Sequence, residues 1–538
     1  MSILLLYNGV IRTLDPRQPV VEALAIRDGR VAAIGSAAEV AAVVGSQHEA
    51  IDLRGRTVVP GLCDAHVHIT SQGINAQRIS LTDVDSIDRA LAAIKERSAQ
   101  LPEGAWLRGW GWDHSLWGGI WPTAAQLDAI VPDKPIALSR KDGHASWVNS
   151  LALKLAGIDD NTPDPEGGQI QRDSNGKATG ILLETAQELI RRVIPPVSTE
   201  ERLNALQYAF NEALSYGLTS IHVPPGGEAS DGRNTLSDLQ ILRERGLLSV
   251  RNHAHIAGID LDHALGLGLR SGLGDAWLRI GGLKLFADGT LGSQTADMLA
   301  PFEGTDNYGL PTYTVEFLND TIARAIAGGI SIVVHAIGDG ANQKVLNAVE
   351  TAQAANAAKG LPLPALPSRI EHAQILDPND IPRFKQLGVI ASMQPIHATG
   401  DMLVADQFWG ARCANAYAWR SLLESGAVLA FGSDAPVESM NPWWGIHAAV
   451  TRQSRANSPA GGWYPEQRLS VEEALLAYTV GPAIASGEQH EKGRLSVGML
   501  ADLAVLNKDP YNCPPEELHT ISSELTIVDG KVAWERKA

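Results

Sequence analysis

Five times along this chain a short apolar run closes on, or encloses, a side chain able to bind a metal or carry a proton. The first is Val58-Val59-Pro60-Gly61-Leu62-Cys63-Asp64-Ala65-His66-Val67-His68, which ends in His-x-His. Leu283-Lys284-Leu285-Phe286-Ala287-Asp288-Gly289 follows, then Ser331-Ile332-Val333-Val334-His335, then Arg369-Ile370-Glu371-His372. Ala427-Val428-Leu429-Ala430-Phe431-Gly432-Ser433-Asp434 is the fifth. Any one of these reads as a buried strand with a satisfied polar residue at its end. Five in succession, with helix-like connections between them, constrain the fold much more strongly.

Side chains on a strand alternate faces, so His66 and His68, two residues apart, are expected to point the same way. Two imidazoles at the C-terminal end of one strand can share a metal ion, because neutral imidazole is a common zinc ligand. Lys284 sits inside an apolar strand, where a bare ammonium is costly to bury. It must snorkel, find a partner or change its chemistry.

The central part of the chain alternates strand and helix, the pattern of a parallel barrel. Strands are expected near 58–69, 220–223, 250–256, 280–287, 332–336, 369–373, 389–394 and 428–433. The fold class is therefore α/β, a (β/α)8 TIM-like barrel over 58–487. The first gap is too long for one crossover helix, so an inserted subdomain is expected at about 70–199. Residues 1–57 and 488–538 alternate apolar and polar, with turns at Asn8-Gly9, Asp28-Gly29 and Asp529-Gly530. They predict one small β-sandwich built from both termini. The alanine-rich stretch 352–358 predicts a helix.

The order His-x-His, Lys, His, His, Asp resembles the amidohydrolase superfamily of metal-dependent hydrolases. Within it the chain is more similar to amidohydrolase family 3, the group that includes N-substituted formamide deformylases. The likeness extends to Asp28-Gly29-Arg30-Val31, Lys141-Asp142-Gly143-His144, Gly167-Gly168-Gln169-Ile170, Gly432-Ser433-Asp434-Ala435-Pro436-Val437-Glu438 and Gly498-Met499-Leu500-Ala501-Asp502. It implies the same barrel-and-sandwich arrangement.

Catalytic residues of such barrels sit at the C-terminal ends of the strands, so the metal ligands are expected to be His66, His68, Lys284, His335 and His372. These are more than one tetrahedral zinc with an open position would use. The superfamily carries a carboxylated lysine on the fourth strand, where Lys284 falls. The favoured reading is therefore two divalent ions, zinc first, bridged by a carbamate that carbon dioxide forms on Lys284. One ion beside an unmodified amine is the alternative. Asp434 is expected to take the proton from an attacking water and pass it to the leaving amine. A helix N-cap is its bland alternative. Substrate contacts are expected from His144, Asp288, His397 and Trp110. Asp288 can instead cap a loop, and His144 can be a structural loop residue. His222, His253 and His255 read as supporting or core side chains.

Thirteen Trp stand against seven Phe, and the cluster from Trp106 to Trp121 is interleaved with glycines. The spacing suits a loop over an active site better than a packed helix, although buried core is the commoner fate of such rings. With 44% hydrophobic and 20% charged residues the composition is that of a globular enzyme. A net charge of −17 without a basic tract argues against nucleic acid or anionic membrane as a partner. The run Ile3-Leu4-Leu5-Leu6 is too short for a signal core, and three cysteines make no disulfide framework. Cys63 is expected to be buried packing. A cytoplasmic enzyme acting on a small molecule, with a homodimer as the candidate assembly, is the expectation.

The predicted activity is hydrolysis of a non-peptide C–N bond, an N-formyl or N-acyl amine, by metal-activated hydroxide. Cyclic amides, imides or carbamates are the alternative substrates. An inactive regulatory or binding protein on the same fold is the alternative of another class.

Overall fold

A computed structural model describes residues 3–44, 48–82, 84–141, 144–225 and 234–537. Asp142 and Gly143 of the Lys141–His144 motif lie outside the described residues. The chain divides into two compact units, Met1–Ser71 with Leu206–Ala538, and Gln72–Ala205.

The first unit contains an eight-stranded parallel sheet in sequence order. Its strands are β1 (Leu62–Asp64), β2 (Leu218–Val223), β3 (Arg251–Ala257), β4 (Leu278–Phe286), β5 (Ile332–Ala336), β6 (Arg369–His372), β7 (Ile390–Met393) and β8 (Leu429–Phe431). These segments are rich in β-branched and apolar residues because helices cover the sheet, leaving its strands buried on both faces. Beyond the last strand the ring is drawn together by backbone bonds, with Ala65 N–H donating to Phe431 O at 2.9 Å and Asp434 N–H to His66 O at 2.7 Å. Gly432 permits this approach, since a Cβ there would lie 2.5 Å from His66 N.

The first predicted strand is two strands. Thr57–Pro60 pairs with Leu503–Leu506 in the terminal sandwich, and only Leu62–Asp64 belongs to the barrel. The break falls at Gly61, where a Cβ would lie 2.1 Å from Thr219 Oγ1. The sandwich thus extends to Pro60, past the expected limit of 57. Its four-stranded sheet comes entirely from the N-terminal segment. Its six-stranded sheet sets three strands from the C-terminal end beside three from the N-terminal end, joined where Thr57–Pro60 pairs with Leu503–Leu506. Leu6, Leu24 and Ile26 of one sheet share a core with Val58, Val505 and Ile527 of the other. Arg251 at the start of β3 is fastened to this sandwich by a bidentate pair with Asp502, 2.6 Å from Nε and 2.9 Å from Nη2.

The second unit, Gln72–Ala205, is the expected insertion, entered two residues later and left six residues later than predicted. It has its own six-stranded mixed sheet. Here the loop reading of the tryptophan segment fails, because Leu107–Trp112 is a strand of that sheet. Gly109 leaves room for the neighbouring strand, since a Cβ would meet Ile79 at 2.3 Å. Trp112, Trp117 and Trp147 are buried together, with ring centroids 6.0–6.2 Å apart. Their indole N–H groups donate to Leu138 O, Val84 O and Thr123 O. These rings form the core of the insertion. The alanine-rich stretch is helical, as the end of Asp339–Ala358. Among the described residues, no helix is long and apolar enough to cross a membrane.

Candidate metal and active site

Barrel register brings the chemistry together. Lys284 and Phe286 alternate inward on β4, Phe286 pairs with His335 of β5, and His335 pairs with Glu371 of β6. Adjacent residues on a strand normally face opposite ways, yet Glu371 and His372 both serve the interior. His372 manages this by leaving the strand with φ 74°. Asp434 also has a left-handed backbone, φ 61°, a costly conformation for a residue with a Cβ. No helix begins at Asp434, so the N-cap alternative is excluded. His66 and His68 lie just beyond β1 rather than on it. Their loop is held by Asp64, whose carboxylate accepts N–H bonds from His66 and Ser433, both at 3.0 Å.

His66, His68, Lys284, His335, His372 and Asp434 all line one cavity of about 390 Å³. Nitrogen or oxygen atoms of His66, His372 and Asp434 lie within 4.8 Å of one another, a spacing able to hold a cation. Asp434 Oδ1 is 3.5 Å from His66 Nε2 and 3.3 Å from His68 Nε2. The aspartate predicted as a proton carrier is thus also part of the donor set. The His335 ring stands 4.5 Å from that of His372.

Hydrogen bonds fix which imidazole atoms remain available. His66 Nδ1–H donates to Glu371 Oε2 at 2.5 Å, and His372 Nδ1–H to Gln394 Oε1 at 2.8 Å. Both rings therefore offer Nε2. His335 is the reverse, because its Nε2–H donates to Gly289 O at 2.9 Å and leaves Nδ1. Burial pushes all three histidines below their ordinary pKa, His335 to about 3, so each is the neutral, metal-competent form at neutral pH. Burial opposes ionisation of Asp434 as well. The bond from His68 and the influence of His66 and His372 outweigh it, holding this carboxyl well below the usual range.

Lys284 Nζ is buried and has no hydrogen-bond partner among the described residues. It lies 4.6 Å from the Phe286 ring centroid, and burial lowers its pKa to about 8 against the pull of Glu371 and Asp434. An orphaned amine beside three neutral imidazoles and a carboxylate fits a divalent metal site in which that amine is modified or displaced.

The other predicted contacts divide. His397, in the first turn of the helix Pro395–Trp409, lines the cavity with Nε2 4.0 Å from Asp434 Oδ2. Asp288 does not fit a substrate-binding role. Its carboxylate accepts N–H bonds from Ile337, Gly338 and Asp297 at 2.8–3.0 Å, and its side chain is fully covered. Asp288 caps the loop after β5. His144 and Trp110 belong to the second unit, where His144 pairs with Glu184 at 3.0 Å and Trp110 is exposed on its strand. Cys63 is buried, as expected. His222 is a supporting residue, its Nδ1 accepting from Arg369 Nη1 at 2.7 Å.

Glu371 and Arg369 were legible only as letters of a motif. The inward alternation of β6 was the available signal. Arg369 donates to Glu371, Ala65 O and Ser392 Oγ, forming the buried brace behind His66.

Residues 49–533 match the amidohydrolase family over nearly the whole chain. The chain belongs to this family. It is similar to Protein LONG AFTER FAR-RED 3 of Arabidopsis thaliana, with 36% identity over 95% of this chain and 88% of that one. It is 29% identical to the N-substituted formamide deformylase of Arthrobacter pascens, over 100% of this chain and 99% of that one. A solved structure, an uncharacterized metal-dependent hydrolase from Pyrococcus furiosus, superposes with a TM-score of 0.76 at 29% identity, covering 95% of this amidohydrolase and all of that chain. At the barrel mouth of this family member His66, His372 and Asp434 form a candidate metal site.

Proposed function

We propose that this amidohydrolase cleaves a non-peptide C–N bond in a small molecule, an N-formyl or N-acyl amine, to release a carboxylic acid and an amine. The observation that carries the reading is the meeting of His66, His372 and Asp434 within 4.8 Å, with Lys284 buried in the same cavity and without a hydrogen-bond partner among the described residues. The full-length likeness to an N-substituted formamide deformylase supports the bond type. His66 and His372 through Nε2, His335 through Nδ1, with His68, Lys284 and Asp434, are the groups that would hold one or two divalent cations, zinc being the first candidate. Such a cation supplies Lewis acidity and lowers the pKa of water from about 16 towards roughly 7.

The chain's own residues supply positioning and proton transfer. Asp434, ionised at neutral pH, accepts a proton at its carboxylate from the attacking water. It returns that proton to the amine nitrogen as the C–N bond breaks. Glu371 holds His66 in one tautomer, and Gln394 does the same for His372. Phe286, Ile337 and Leu291 supply an apolar wall that excludes bulk water from the reacting atoms.

The test is metal analysis of the purified protein, then hydrolysis of matched N-formyl, N-acetyl, ester and carbamate compounds by the metal-loaded form. Release of amine from the formyl or acetyl members supports the reading. Metal-loaded protein inert towards all four would favour a binding protein on a hydrolase fold.

A further inference from the structure

We propose that the cavity selects substrates carrying a protonated nitrogen, seated against Glu438, Asp401 and Gln374. The proposal rests on the hydrolase reading for the bond that is cut, while recognition itself is independent of turnover. Beyond the six converging residues, the wall is apolar at Phe286, Leu291, Ile337 and Val437. The charged residues in this outer part are Asp401 and Glu438, and among the described residues no arginine and no second lysine lines it. The substrate implied has an apolar body and a cationic end.

The acidic side is built. Asp401 lies one helical turn after His397, on the same face of Pro395–Trp409. Tyr417 Oη donates to Asp401 Oδ2 at 2.5 Å, while Tyr417 N–H donates to Gln374 O at 2.6 Å. One residue thus fixes two parts of the wall. It is itself held by Arg452, whose Nη1 donates to Tyr417 O at 3.0 Å. Gly400 makes room for Glu438, since a Cβ there would lie 3.2 Å from Glu438 Oε1.

Unused acceptors point to a ligand rich in donors. Gln374 is 4% exposed, and its Oε1 receives no hydrogen bond from the described residues. Glu438 has no hydrogen-bond or ion-pair partner among the described residues, although His397, Asp401 and Asp434 of the same cavity are close enough for their charges to act on it. Arg455, a cation within electrostatic reach of Glu438, lies 3.6 Å over the Trp444 ring. Two partly desolvated carboxylates repel each other, and a protonated amine between them offsets that cost while donating to each.

N-(4-aminobutyl)formamide and N-pentylformamide test this, being of equal length and differing in a terminal ammonium or methyl. Calorimetric binding and kcat/KM are measured on metal-loaded wild type, Glu438→Gln and Asp401→Asn. The ammonium member should be preferred by about tenfold or more in both quantities, as expected for one charge-assisted pair. Each variant should collapse that ratio. Equal binding of the two compounds by the wild type would overturn the proposal, and efficient cleavage of the pentyl compound would then leave the hydrolase reading standing. A binding preference that depends on Glu438, without cleavage of either compound, would uphold the recognition while the hydrolase reading falls.

Discussion

Glu371 Oε2 lies 2.5 Å from His66 Nδ1, and both side chains are buried. Arg369 and His66 together hold the Glu371 carboxyl well below its ordinary range despite burial. An ionised carboxylate can only accept, so His66 carries its proton on Nδ1 and turns the Nε2 lone pair towards Asp434.

Replacing Glu371 by Gln should weaken divalent-metal binding by about 10- to 100-fold, because the charged acceptor behind His66 is lost. Competition with a chromogenic chelator measures this directly. An affinity equal to wild type would deny Glu371 any part in positioning His66.

Asp434→Asn should lower kcat by about 10² to 10⁴ when assayed at saturating metal, since an amide cannot carry the proton. Near-normal turnover in this variant would take the proton transfer away from Asp434.

Lys284 tests the number of metal ions. Carbamate forms only on the neutral amine, and a pKa of about 8 means that this form grows as pH rises from 7 to 9. Reactivation of metal-stripped protein by zinc should therefore depend on bicarbonate and quicken across that range, ending near two equivalents of metal. Lys284→Ala should lose both metal and activity. One equivalent of metal beside an unmodified lysine would refute the bridged arrangement and leave a single-metal hydrolase.

Far from the site, Arg251→Ala should destabilise the first unit by about 3 to 5 kcal/mol, because Asp502 would be left buried without its partner. The melting temperature should fall. A value unchanged from wild type would show that backbone N–H groups such as that of Asp529, which donates to Asp502 at 2.9 Å, suffice for this carboxylate.

Much of the barrel could be read locally because a buried parallel strand announces itself as an apolar run. β5 falls at 332–336 as expected, and the other six strands from β2 onward lie within three residues of their expected limits. The first strand misled because 57–60 and 62–64 are both apolar. Nothing local distinguishes a sandwich strand from a barrel strand when one glycine separates them. In the tryptophan segment the reading of the rings as buried core held, and only the loop alternative failed, for a related reason. Gly109 looks like a loop residue but lets two strands approach closely, since a Cβ there would meet Ile79 at 2.3 Å.

Order along the chain by itself determined the kind of site: His-x-His, Lys, His, His and Asp on or just after β1, β4, β5, β6 and β8, which a parallel barrel brings to one mouth. Tertiary structure decided how those residues work. The sequence could not show that Asp288 spends its carboxylate on three backbone N–H groups. It could not show that Glu371 braces His66, nor that His335 presents Nδ1 where His66 and His372 present Nε2. Such roles depend on which donor lies within about 3 Å across strands tens to hundreds of residues apart, and a one-dimensional pattern does not contain that distance.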